Sequence, residues 1–241
     1  MNLLNKIGAA EFKALKENYQ GDLNETLELL KENYPIQYLI GFVDFYDCTI
    51  KVNENVLIPR YETEYLVEKT IQRLKNKSIT SGIDLCTGSG CIAIALKKHL
   101  DINIDACDIS KDALELAEDN AKENKIDINF FQKDILNEEI FGNYDFIISN
   151  PPYVKEREYT SPETKYEPSI ALYAKDEGLE FYKRILDLSK QILNKKGIII
   201  FEIGSTLGNN IKEYAKKIYP NAIITIEQDY NNLDRFMFIE T

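Results

Sequence analysis

Two short stretches gather the residue types able to do chemistry. The first is DFIISNPPYVKE, residues 145–156, where an apolar run stops at Asn150, Pro151, Pro152 and Tyr153. Prolines fix φ and remove backbone donors, so this turn cannot serve a central ladder; it is stiff and leaves neighbouring carbonyls free. The side-chain oxygen of Asn150 and the backbone carbonyl of Pro151 then form two immobile acceptors, suited to both hydrogens of one NH₂ group. Tyr153 is placed to stack on the planar group carrying that nitrogen. The plainer reading is a stiff turn at a strand end.

The second stretch is IDLCTGSGCIAIAL, residues 83–96. A strand, a Thr-Gly-Ser-Gly turn and a helix let a ligand approach backbone amides at a helix N-terminus, through Cys86, Thr87, Gly88, Ser89 and Gly90. No Lys-Ser/Thr pair follows the glycines, so this is not a phosphate loop. Gly88 and Gly90 fit a dinucleotide turn with Ala93 as the permitted third position, but Asp84 would repel a pyrophosphate and suits a cation. Asp108 closes the next strand, where a carboxylate can accept both ribose hydroxyls; the alternative is an N-cap, a job open to Ser110. Asp134 closes the third strand, with Ile135 behind it; it is either a turn aspartate or an acceptor for an adenine amino group. A nucleoside with a positive, phosphate-free tail satisfies all three carboxylates, and S-adenosylmethionine is such a molecule.

Opposite that cofactor, the acceptor pair at Asn150 would turn the lone pair of an NH₂ group toward the sulfonium methyl. An amide or exocyclic amine is a poor nucleophile because its lone pair is delocalised. In-line positioning must then supply most of the acceleration, and well-oriented geometry is worth ~7–11 kcal/mol.

The elements that must position these residues follow from hydrophobic patterning. Leu4, Ile7, Ala10, Ala14 and Leu15 predict a first helix within residues 2–18, and Asp22 with Glu25 gives the capping-box pattern of a second, stopped by Pro35. GFVDFYDCTIKV, residues 41–52, reads as a hairpin turning at Asp47. From residue 61 onward, Ile- and Phe-rich strands alternate with amphipathic helices. That pattern predicts an α/β fold with a mostly parallel sheet and helices on both faces. The last two strands follow one another without a helix between them, so one is expected to run antiparallel at an edge.

The chain of 241 residues carries 29 Lys plus Arg against 40 Asp plus Glu, a net charge of −11. That balance argues against a surface built to grip nucleic-acid backbones. Cys48, Cys86, Cys91 and Cys107 show no CxxC spacing and His99 is the one histidine, so no metal site is expected. His99 is expected at a helix end facing solvent. Three of the four cysteines sit in or beside apolar strand-like runs and read as small buried hydrophobes, and a reduced, cytoplasmic protein is expected. No apolar stretch approaches the ~20 residues of a membrane helix, and the N-terminus has no signal-peptide pattern.

The TGSG turn, the Asp108 strand end and NPPY together resemble the class I, Rossmann-like methyltransferases that act on planar NH₂ nitrogens. PIQYLIG (35–41), LIPRYETEYLVE (57–68), YEPSIAL (166–172), DEGLEFY (176–182) and FEIG (201–204) are similar to the HemK-type family of release-factor glutamine methyltransferases. The resemblance implies that the substrate is the glutamine of the GGQ motif in peptide chain release factors, methylated on its side-chain amide. It implies that residues 150–153 hold that amide and that Thr87, Gly88, Ser89, Gly90 and Asp108 bind the cofactor. It also implies a short helical recognition domain over 1–35, a hairpin linker over 36–60 and a methyltransferase domain over 61–241. Ile135 stands where the family commonly has an aromatic, and Tyr61 where it usually has proline. Arg60 either bridges the linker to the catalytic part or makes a surface ion pair worth little. Two other readings remain: an adenine-N6 or guanine-N2 nucleic-acid methyltransferase, disfavoured by charge, and a non-catalytic nucleoside-binding module, disfavoured by the acceptor pair.

Overall fold

The computed structural model describes residues 8–19, 21–155, 158 and 160–241. The first helix is present as α1 (Ala9–Asn18); its expected reach back to Leu4 and Ile7 lies outside the described residues. In α2 (Leu23–Lys31) the Glu25 amide donates to the Asp22 carboxylate at 3.4 Å, one half of the capping box. A short α3 (Ile36–Ile40) ends at Gly41, whose φ of 87° suits glycine. Leu15, Leu30 and Ile36 form a small apolar cluster among these helices.

β1 (Phe42–Phe45) and β2 (Cys48–Lys51) pair antiparallel across Tyr46 and Asp47. Both turn residues have positive φ, 42° and 62°, as a two-residue reversal matching strand twist requires. Then come α4 (Tyr61–Leu74), β3 (Ser81–Leu85), α5 (Cys91–His99), β4 (Asn103–Asp108), α6 (Lys111–Glu123), β5 (Asn129–Gln132) and β6 (Tyr144–Ser149). The chain continues through α7 (Ser169–Leu172), α8 (Glu180–Ile192), β7 (Leu193–Glu202), α9 (Gly208–Ile218), β8 (Ile223–Gln228) and β9 (Asp234–Glu240).

The main sheet has the order β5-β4-β3-β6-β7-β9-β8. β5, β4, β3, β6 and β7 run parallel; β9 is antiparallel to both of its neighbours. Both faces are covered. Along β7, Ile198 and Ile200 join the cluster with α4, α5 and α6, while Ile199 and Phe201 join the one with α8 and α9. The expectation of an antiparallel edge strand needs correction, because β9 lies inside the sheet and β8 takes the edge. The physical reason is burial: Phe236, Met237, Phe238 and Ile239 are inaccessible on both faces, whereas Ile223 of β8 is 69% exposed.

The hairpin is held firmly against this core. Phe45, Cys48 and Ile50 are buried in the α4–α5–α6 cluster. The Asn120 side chain of α6 accepts from the Lys51 amide at 2.8 Å and donates to the Lys51 carbonyl at 3.1 Å. No helix among the described residues is long and apolar enough to cross a membrane.

Strand order reverses between β3 and β6. In an open parallel sheet, the crevice outside the carboxyl ends of two such strands is where ligands bind. Both motifs singled out above leave the sheet there.

Candidate active site

β3 delivers Cys86 at a φ of 61°, then Thr87, Gly88 and Ser89, and Gly90 caps α5 at a φ of 79°. The two glycines do different work. A Cβ on Gly88 (φ 55°) would meet no atom within 4 Å, so it faces open space. A Cβ on Gly90 would come within 3.1 Å of the Ala117 methyl, so Gly90 is needed for close packing against α6. Cys86, Thr87, Gly88 and Ser89 line a cleft of about 1090 Å³, open solvent included, which is ample for a nucleoside with an amino-acid tail.

Asp108 faces the same cleft from the end of β4. Its Oδ2 accepts from the Gly88 amide and its Oδ1 from the Ser110 amide, each at 2.9 Å. Ser110 caps α6 by accepting from the Ala113 amide, so Asp108 is released from that task. Each carboxylate oxygen keeps lone pairs for a further donor. Burial raises the Asp108 pKa against the pull of those backbone amides.

Asp134 and Ile135 also line the cleft. Asp134 is folded into a turn, with Oδ1 accepting from the Leu136 amide at 3.0 Å and Oδ2 from the Asn137 amide group at 2.7 Å. Ile135 is 4% exposed and offers a flat apolar wall. Asp84 and Gly90 lie behind the wall rather than in it. The Asp84 carboxylate is fully buried and accepts from the Thr87 hydroxyl at 2.6 Å, while its Oδ1 has no partner. Burial pushes its pKa up to about 7, with the Thr87 hydrogen bond opposing. Its place in the structure is to brace the Thr87 turn.

β6 delivers the second motif. Asn150 and Pro152 line the cleft, whereas Pro151 and Tyr153 line an adjoining cavity of about 740 Å³. Asn150 borders both. The segment after it is pinned: the Val154 amide donates to the Leu172 carbonyl at 2.8 Å and the Ala174 amide to the Val154 carbonyl at 2.9 Å. Gly178 lets the chain pass, since a Cβ there would strike the Tyr153 carbonyl at 2.4 Å.

Three functional candidates were not assigned a role from sequence. Thr63, on the first turn of α4, accepts from Asn150 Nδ2 at 3.3 Å and donates to Glu202 Oε2 at 2.7 Å. Glu202, at the end of β7, borders the cavity with Pro151 and Tyr153, and burial pushes its pKa up to about 7. Glu167 is buried, accepts from the Ile58 amide at 2.9 Å and is paired to Arg60. Arg60 therefore bridges the linker segment to the chain after β6 and borders both cavities. The available signal for Glu202 was a carboxylate closing an apolar run, the same signal that marked Asp108. His99 ends α5, part-exposed, edge-on to Tyr46 with ring centroids 5.0 Å apart.

Residues 63–165 match the family model described as methyltransferase small domain. The chain is 37% identical over 222 residues to the release factor glutamine methyltransferase of Lactococcus lactis, covering 90% of this chain and 82% of that one. It is 41% identical over 220 residues to the enzyme of the same name from Flavobacterium psychrophilum, covering 86% and 76%. A methyltransferase from Pyrococcus furiosus superposes with a TM-score of 0.61 over 90% of this chain and 98% of that one, and at 16% identity this shows a shared fold.

Proposed function

Since the chain belongs to the release factor glutamine methyltransferase family, we propose that its two adjoining cavities divide one reaction between them. The cleft at Gly88 and Asp108 holds S-adenosylmethionine, and the cavity at Asn150 receives the side-chain amide of the GGQ glutamine of a peptide chain release factor. The protein is an S-adenosylmethionine-dependent methyltransferase acting on the nitrogen of that amide.

The residues fit the cofactor. Gly88 leaves space where any side chain would intrude, and Asp108 keeps lone pairs directed at the cleft. Ile135 offers a surface for the adenine, and no phosphate need be accommodated beside so many carboxylates. When bound, this cofactor supplies an electrophilic methyl group on a sulfonium. The chain's own residues do the rest. Asn150 Oδ1 and the Pro151 carbonyl take the two amide hydrogens, which fixes the plane of the nucleophile and frees its lone pair toward the cleft. The Tyr153 ring holds the amide plane from one side. Pro151 and Pro152 keep these acceptors rigid, so no reorganisation is needed at the moment of transfer.

The observation carrying this reading is that Asn150 borders both cavities. A planar NH₂ group bound there is held between acceptors on one side and the cofactor cleft on the other. Residues 1–35 are assigned to release-factor recognition, residues 36–60 to a linker and residues 61–241 to the methyltransferase domain. The Leu15–Leu30–Ile36 cluster, apart from the two clusters on the sheet, supports a distinct N-terminal helical unit whose packing reaches into α3. Direct nucleic-acid binding is no part of the reading, in keeping with the net charge of −11. Cytoplasmic action is part of it, consistent with four free cysteines. The test is mass spectrometry of a release factor after incubation with enzyme and methyl-labelled cofactor. One methyl on the GGQ glutamine is expected; label on added RNA or DNA instead would overturn the assignment.

A further inference from the structure

Asn150 can offer its carbonyl oxygen to a substrate amide only if its own NH₂ group points the other way. The structure holds it so. Thr63 has one hydroxyl hydrogen, and that hydrogen goes to Glu202 Oε2 at 2.7 Å. An ionised carboxylate only accepts, so the Thr63 oxygen is left as an acceptor, and Asn150 Nδ2 donates to it at 3.3 Å. The three residues come from the starts or ends of three separate elements: α4, β6 and β7. We propose that Thr63 and Glu202 are positioning residues for the transfer, acting through Asn150 by fixing which end of its amide faces the substrate cavity. This rests on the reaction assigned above and adds two residues to it.

The arrangement has a directional consequence. A protonated Glu202 can donate to Thr63, whose hydroxyl hydrogen is then free to bond the Asn150 oxygen and turn the amide over. Glu202 is buried, and desolvation brings its pKa up to about 7. The groups facing it are Arg235 of β9 and Arg60 before α4, which favour its charge, and Glu62 of α4, which opposes it. Tyr153 stands beside the carboxylate, and the Tyr182 hydroxyl of α8 donates to the Glu202 main-chain carbonyl at 2.9 Å. Turnover should therefore decline as pH falls through about 7.

The test uses the full-length enzyme with a release factor. Thr63→Val keeps the shape and loses the hydroxyl: kcat is expected to drop at least tenfold while cofactor affinity stays within about twofold. Thr63→Ser restores most of kcat. Glu202→Gln does not titrate, so the acid decline in kcat disappears. A Thr63→Val enzyme with wild-type kcat, or an unchanged acid decline in Glu202→Gln, overturns the proposal. A second readout needs no turnover: the Asn150 side-chain NH₂ resonances should shift with pH near 7 in the wild type and not in Glu202→Gln. If the wild type leaves the release factor unmethylated, the assigned reaction fails, and this titration alone decides the positioning role.

Discussion

The Ser149 hydroxyl donates to the Leu85 carbonyl at 2.5 Å, and the same two residues are register partners at the ends of β6 and β3. Ser149 is the last residue before NPPY, and Leu85 closes β3 one residue, Cys86, ahead of the TGSG turn. This side-chain hydrogen bond adds to the β3–β6 ladder in keeping nucleophile holder and cofactor loop side by side. Each loop begins at the point where the strand order reverses.

Because Asn150 contributes an acceptor to the substrate only, Asn150→Ala should lower kcat about 10²- to 10³-fold, the usual scale for one preorganised polar group. Cofactor affinity should stay within about twofold. Single-turnover methylation and calorimetric titration separate the two. A variant that binds cofactor normally and still methylates at the wild-type rate would refute the acceptor role.

Asp108 supports the cofactor twice, by facing the cleft and by holding the Gly88 amide. Hydrogen bonds to a charged group are worth about 1.5–3 kcal/mol, so Asp108→Ala should weaken cofactor binding by roughly ten- to a hundredfold. Turnover at saturating cofactor should change far less. Unaltered titration curves would show that the ribose lies elsewhere.

Much of this arrangement was legible in the sequence because its signals are local. The strands appear as uninterrupted apolar runs, since both faces of the sheet are covered, and the site residues stand where those runs stop. The Thr63–Asn150–Glu202 chain was not legible. Its members are separated by 87 and 139 positions, so no spacing connects them and only the fold brings them together. The position of β9 was missed for a related reason. Chain order places it last, but its four consecutive inaccessible residues demand cover on both faces, which an edge cannot give.

The two turn glycines should separate by phenotype. Both sit at positive φ, so alanine at either carries strain of roughly 1–2 kcal/mol. Gly88→Ala adds a methyl pointing into the cleft, and its main effect should be lost cofactor affinity. Gly90→Ala drives a methyl against Ala117 at 3.1 Å, and its main effect should be a lower Tm. Paired melting and titration experiments check this, and the opposite pattern would mean that the cofactor does not lie over Gly88.

Asp84 makes stability depend on pH in a direction opposite to that of most carboxylates. Its pKa in the fold lies near 7, above the ordinary value of 3.8, because burial disfavours its charge. The protonated form is thus the one the fold prefers. That contribution to stability is complete below about pH 4 and lost as pH rises through about 7. Asp84→Asn stays neutral and still accepts from Thr87, so urea unfolding at about pH 8 should show it more stable than the wild type by a few kcal/mol at most, at ~1.4 kcal/mol per pKa unit. The gap should narrow at about pH 5 and close only below about pH 4, where Asp84 is protonated in the unfolded chain as well. Glu202 titrates in the same sense, so the variant keeps part of the slope and Asp84→Asn/Glu202→Gln loses more of it. An Asp84→Asn protein destabilised equally at both pH values would show that the carboxylate is ionised in the fold, with its desolvation met by a partner.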